Sequence, residues 1–240
     1  MWRRLFSVLI LLVASSGAEA GCIDPATLAH STASITRHFD DNDKGAPAGV
    51  VAIRGTGWFL SPTMMVTVDH VAAAMNLSNR WKALEIRKGD DKHSIPARIQ
   101  RVAGSHAEKI AVLELQAPVP DAPGLQLRAE PFAAEETVVS LGYPDGRLRV
   151  AGGRFVQYGD RDRFPGTALL ELYDGNDRLV LDHGALGAPV LDCDGRVVAV
   201  VSNLFTTTMR FMSRAIRTST AWGSPNVVSV PVPDDLSRVQ

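Results

Sequence analysis

The feature that most constrains this chain is a succession of short β-type runs, each closed by Gly, Pro, Asp or Asn, with no sustained helical periodicity between them. A first set is expected at Gly49–Arg54, Gly57–Leu60, Met64–Val68, Ala83–Arg87, Ile95–Val102 and Ile110–Leu115. After a proline-rich stretch from Pro118 to Pro123, a second set is expected at Thr137–Leu141, Leu148–Tyr158, Ala168–Tyr173, Pro189–Leu191, Val197–Ser202, Thr207–Ser213 and Val227–Val232. Two groups of about six short strands joined by one crossover predict an all-β chain, built as two six-stranded antiparallel β-barrels rather than a parallel α/β sheet. The barrels are expected at about 45–117 and 131–235, with the polar segment from Asp24 to Lys44 outside them as one short helix with loose flanks. A length of 240 residues suits one such unit and leaves no room for a second large domain.

Arg3 and Arg4, the apolar run from Leu5 to Ala14, and Ala18-Glu19-Ala20 read as a removable export signal at residues 1–20, cut after Ala20. That run is about half the roughly 20 residues needed to span a bilayer, which argues against an uncleaved anchor. No later stretch could span, so residues 21–240 are expected to lack a transmembrane segment and to be exported, to the periplasm or the medium. Loss of Arg3, Arg4 and Glu19 changes 25 basic against 26 acidic residues to 23 against 25, a near-neutral chain that calls for neither nucleic acid nor an anionic membrane as partner. Cys and His residues show no metal-ligand spacing, and no cofactor is expected. The two cysteines, Cys22 and Cys193, are most simply read as one disulfide in an oxidising compartment. The competing reading makes Cys22 an acylated lipoprotein cysteine, against which Glu19 argues, since it stands where such a signal carries an apolar residue.

The strongest local signal is Gly55-Thr56-Gly57-Trp58-Phe59-Leu60-Ser61-Pro62, followed by an apolar strand and then Val66-Thr67-Val68-Asp69-His70-Val71-Ala72. A rigid strand there delivers His70 to a turn before a short helix from Val71 to Met75, so the imidazole can face a cleft instead of the core. Downstream come Lys109 with Ile110-Ala111-Val112-Leu113-Glu114-Leu115, then Leu141-Gly142-Tyr143-Pro144, then Gly184-Ala185-Leu186-Gly187-Ala188-Pro189-Val190. The series closes with an Asp192-Cys193-Asp194-Gly195 turn, the Arg196-to-Ser202 strand, and Val228-Ser229-Val230-Pro231-Val232-Pro233. In this order the motifs resemble those of the trypsin-like serine proteases, chymotrypsin-like double barrels, and in particular the bacterial HtrA type. The resemblance spans roughly Gly49 to Asp235. It implies that His70 holds the general-base position, that Lys109 and Leu186 fill the acid and nucleophile positions by substitution, and that the backbone at Gly184 and Leu186 matches an oxyanion hole. Ser202 then matches the edge that holds substrate backbone.

These departures shape the expected chemistry. In the template a serine attacks, a histidine takes its proton and a buried aspartate orients the histidine. Leu186 has no attacking atom, and a Lys109 cation would disfavour the imidazolium that the aspartate stabilises. Glu108, beside the missing acid, is a candidate orienter, but neighbouring strand residues point to opposite faces. Asp69 and Asp182 read as solvated loop acids or partners for Lys109, Ser61 and Ser105 as turn serines, and His183 as a loop residue where similar sequences carry proline. Leu186→Ser is therefore expected to need Lys109→Asp beside it to restore turnover. An exposed edge from Val200 to Leu204 could accept an extended peptide by strand addition. The expectation is an exported, catalytically inactive protease-fold protein that binds a polypeptide or an envelope protein partner. An active serine endopeptidase with a relocated nucleophile, and a purely structural envelope domain, are the alternatives.

Overall fold

The computed structural model describes residues 22–40, 43, 48–104, 108–128, 130–160, 162, 164–173, 183–204, 206–211, 214–219 and 225–236, so the expected export signal lies outside the described residues. A short helix, α1 (Pro25–Ala29), opens them, with the Asp24 carboxylate accepting the Ala26 amide at 3.0 Å and proline in the first turn. The first barrel comprises β1 (Thr32–His38), β2 (Ala52–Ser61), β3 (Met64–Val68), β4 (Lys82–Lys88), β5 (Asp91–Ala103) and β6 (Ile110–Leu115), with helix α2 (Asp69–Ala74) after β3. It closes in the order β1-β2-β3-β6-β5-β4 through the β1–β4 pairing. In the second barrel β7 (Thr137–Gly142), β8 (Arg149–Tyr158), β9 (Ala168–Tyr173), β10 (Pro189–Leu191) and β11 (Val197–Leu204) come first. An antiparallel hairpin follows, β12 (Thr206–Phe211) with β13 (Arg214–Ser219), outside the barrel, before β14 (Val227–Pro231) completes the order β10-β11-β14-β9-β8-β7. The all-β double barrel expected from the sequence is the observed architecture.

Strand membership differs from expectation in two places: the run expected at Thr207–Ser213 as part of the second barrel pairs instead as β12 with β13 outside it, and the first barrel draws its sixth strand from an unexpected segment. The two runs expected around Gly49–Arg54 and Gly57–Leu60 fall largely within the single ten-residue β2, and the sixth strand of the first barrel is β1, which lies before the expected boundary near residue 45. Ala33 and Ile35 alternate with Thr32, Ser34 and Thr36, and all five are buried. A strand whose second face buries hydroxyl side chains lacks the apolar contrast that marks a strand in sequence.

The barrels share a buried seam in which Trp58, Val66 and Val112 of the first pack with Leu141, Val200 and Val230 of the second. Cys22 and Cys193 form a disulfide with a Cα–Cα distance of 5.0 Å across 171 positions of sequence. This settles Cys22 as a disulfide partner, and closing so long a loop has an ideal entropic value of about 5 kcal/mol. Among the described residues no helix is long and apolar enough to cross a membrane.

Candidate active-site cleft

His70 is the second residue of α2, whose N-cap, Val68, is extended and offers no side-chain cap. Val71 and Ala72 are buried and fix the helix against the barrel, while the His70 side chain stays 48% exposed. The Asp69 amide donates to the Lys109 carbonyl at 2.9 Å, which ties the start of α2 to the segment entering β6. Through this tie the end of β3 and the approach to β6 lie side by side.

The carboxylate that reaches the histidine belongs to Glu108. Its Oε2 lies 3.7 Å from His70 Nδ1, within ion-pair reach and beyond a hydrogen bond. The same oxygen accepts the hydroxyl proton of Ser202. The sequence reading placed the acid position at Lys109 and discounted Glu108 by strand alternation, and it is the Glu108 carboxylate that lies within ion-pair reach of the imidazole. β6 begins only at Ile110, so Glu108 lies in a bend where alternation has no force. The charges acting on His70 are those of Glu108 and Asp69. Burial against the protein lowers the His70 pKa below the ordinary value and outweighs both acids, which raise it. Burial thus favours the neutral imidazole, the form that can take a proton.

Ser202 reaches Glu108 because of an irregularity in β11. Val201 pairs with Ser229 and Asn203 with Val228, so Ser202 is an extra residue in the ladder. A bulge of this kind re-aims a side chain, and Ser202, fully buried, crosses from the second barrel to the acid of the first. Glu108 also borders a cavity of about 560 Å³ between Val102, Gly166 and residues 230–235.

On the opposite side, a 3₁₀ turn, His183–Ala185, leads into the loop that carries Leu186. A Cβ on Gly184 would stand 2.3 Å from the Pro144 carbonyl oxygen, so only glycine lets the loop pack on the Tyr143-Pro144 turn. Gly187 has a φ of +93°, and a Cβ there would meet Thr67 Oγ1 at 2.1 Å. Its amide donates to the Val201 carbonyl at 2.8 Å, and the Ala188 amide donates to the Ala185 carbonyl at 3.0 Å. Leu186 is 9% exposed and belongs to the hydrophobic core cluster that also includes Val71 and Met75.

Thr56 is the anchor that sequence reasoning missed, although it sits inside the Gly55-Thr56-Gly57 motif. Its amide donates to the Leu186 carbonyl at 2.9 Å, and its hydroxyl donates to the Gly184 carbonyl at 2.8 Å. The same hydroxyl accepts the Tyr143 amide at 2.9 Å, and its carbonyl accepts the Thr67 hydroxyl at 2.8 Å. All four partners are met inside a fully buried residue, so one threonine of the first barrel fixes the loop and the opening turn of the second.

Of the remaining candidates, Ser61, expected in a turn, is instead the last residue of β2, paired with Met64, and its hydroxyl lies 3.5 Å from that of Thr63 in the turn that follows. Ser105, Asp182 and the His183 side chain fall outside the described residues. Among the described residues no group of His, Cys, Asp and Glu side chains could hold a metal ion.

Comparison with known proteins accords with this geometry. The trypsin-like peptidase domain profile matches residues 55–200, more than half of the chain. The serine proteases Rv3671c and MT3772, from the H37Rv and CDC 1551 strains of Mycobacterium tuberculosis, are each 29% identical to it over 167 residues, which is 65% of this chain. The chain spans 37% of the length of these relatives. The solved active form of Rv3671c superposes with a TM-score of 0.59 at 20% identity, over 97% of this chain and 90% of that one. A scabies mite inactivated protease paralogue, S-D1, superposes with a TM-score of 0.60 at 14% identity, over 88% and 90%. With the double barrel, the ordered motifs and this match together, the chain belongs to the trypsin-like peptidase domain family.

Proposed function

We propose that this chain is an exported, non-cleaving member of its family whose cleft binds a polypeptide or protein partner of the cell envelope. One observation carries the reading: the position that launches attack on a peptide carbonyl holds Leu186, a hydrocarbon with no lone pair, in a loop still anchored through Thr56. Loss of the nucleophile alone costs on the order of 10⁶ in kcat where it has been measured. Gly184 and Leu186 would present the amides of the oxyanion position, and Ser202 would stand at the edge that holds peptide backbone. Relocation of the nucleophile is disfavoured because the Ser202 hydroxyl is committed to Glu108. Among the described residues, no hydroxyl or thiol is hydrogen-bonded to His70. Export accords with the Cys22–Cys193 disulfide, since such bonds persist in oxidising compartments.

Strand addition is the binding mode that the edge supports. β10 pairs with β11 only as far as Val200, so beyond Val201 one side of β11 is open among the described residues while the other pairs with β14. The test is a peptide array probed with the chain from residue 21, alongside Leu204→Pro, which removes an edge amide. Sequence-dependent retention that Leu204→Pro abolishes is expected. Retention of no peptide, or identical retention by the proline variant, would overturn the reading.

A further inference from the structure

The open edge of β11 is not bare. Beyond Ser202, Asn203 and Leu204 pair with Val228 and Val227 of β14. On the other side, among the described residues, the bonds of β11 to the cleft loop end at Val201, whose amide donates to the Ala188 carbonyl and whose carbonyl accepts the Gly187 amide, both at 2.8 Å. Successive residues of an antiparallel strand turn their backbone groups to opposite edges, so one of Asn203 and Leu204 bonds β14 and the other faces the open side. The Leu204 amide donates to the Asn203 side-chain oxygen, Oδ1, at 2.8 Å. An amide aimed into the barrel would be taken by a β14 carbonyl, whereas this one is taken by a side chain. Asn203 is exposed and Leu204 buried, so a solvent-facing carboxamide folds back over a backbone donor of the strand. Unpaired edge donors are what recruits a foreign strand, and a local acceptor blunts one.

We propose that Asn203 gates the peptide-accepting edge, its carboxamide occupying the Leu204 amide until a carbonyl of an extended polypeptide replaces it. The proposal rests on the strand-addition reading given above. Entry exchanges one acceptor for another on the same N–H, and rotation of the Asn203 side chain is the only local movement required. The gate makes the edge selective: a segment must present an extended backbone whose carbonyl out-competes an acceptor already in place. Because the net value of one such bond is modest, the gate tunes affinity and does not close the edge.

The experiment compares the chain from residue 21 with its Asn203→Ala and Asn203→Asp variants in two measurements. The first is hydrogen exchange of the Leu204 amide by NMR without peptide. The second is binding of a fluorescein-labelled, end-blocked, unstructured Val/Thr-rich peptide. Asn203→Ala should speed exchange at Leu204 and tighten peptide binding about three- to tenfold. Asn203→Asp keeps an acceptor and should stay close to the unaltered chain in both. Unchanged exchange in Asn203→Ala would overturn the gate whatever the peptide does. Faster exchange with unchanged affinity would also overturn it, while leaving peptide binding elsewhere in the cleft intact. Faster exchange with no peptide bound by any of the three chains would instead overturn strand addition itself, and the gate with it.

Discussion

On one wall of the cleft, His70 stands 3.7 Å from a carboxylate that accepts a hydrogen bond from the Ser202 hydroxyl; on the other, a loop keeps its glycines and its anchors and packs Leu186 into the core. The first wall keeps an imidazole beside a carboxylate. The second keeps its glycine bends and its Thr56 anchor and holds a hydrocarbon at position 186. Loop shape and loop chemistry are therefore separable here: the bend is set by Gly184, Gly187 and Thr56, none of which depends on what side chain stands at position 186.

The sharpest way to break this contrast is Leu186→Ser alone. With Glu108 beside His70, the single change should bring turnover of an unstructured protein substrate from nothing to a measurable rate, and His70→Ala in the same background should remove it. A triad nucleophile is worth on the order of 10⁶, so even partial recovery stands clear of background. A folded but inert Leu186→Ser would show that the acid–base wall is spent as well.

A second test concerns what holds the base of the loop. Arg128 bonds Glu136 and also Asp192, the residue that follows β10, and both pairs are largely buried. Burial opposes ionisation of Asp192, but the Arg196 amide and the Arg128 and Arg196 guanidiniums outweigh it and hold the carboxyl below its ordinary value. Arg128 chiefly holds Glu136 down in the same way, against burial. Carboxyls lowered on folding contribute stability above their unfolded values, near pH 4, and that stability is lost as pH falls through their folded values. Arg128→Met should cost about 3–5 kcal/mol in urea unfolding at pH 7 and clearly less at pH 3. An equal cost at both would remove the ionic cluster from the account.

A smaller effect is expected from Thr56→Val, which keeps shape and orphans the Tyr143 amide and the Gly184 carbonyl. Its cost should be about 2–4 kcal/mol by the same measurement. A loss below about 0.5 kcal/mol would mean that the loop is held by packing alone. The smallest effect is on His70 itself. Glu108→Gln should lower its NMR titration midpoint further, because the Glu108 charge raises it, while Lys109→Met should leave it nearly in place. A midpoint that Lys109→Met raises and Glu108→Gln leaves in place would restore Lys109 to the acid position.

The double barrel was legible because motif order, strand length and turn residues all point the same way. β1 was not, since Thr32, Ser34 and Thr36 bury hydroxyls where a sequence pattern needs apolar side chains. The strand end before His70 and the glycine-bent loop around Leu186 could be placed from motifs that fix their backbone. Glu108 could not, because its role depends on where β6 begins, and a shift of one residue decides which side chain meets the imidazole. Thr56 lay in plain view within its motif, but its four partners come from positions 67, 143, 184 and 186, a convergence that only the folded chain displays.

The most direct measurement is intact-mass analysis of the unaltered chain from residue 21 after incubation with a fluorophosphonate, which reacts with an activated hydroxyl beside a competent histidine. An unchanged mass is predicted. A stoichiometric covalent adduct that disappears on His70→Ala would contradict the account, because it would require a nucleophile that Leu186 cannot supply.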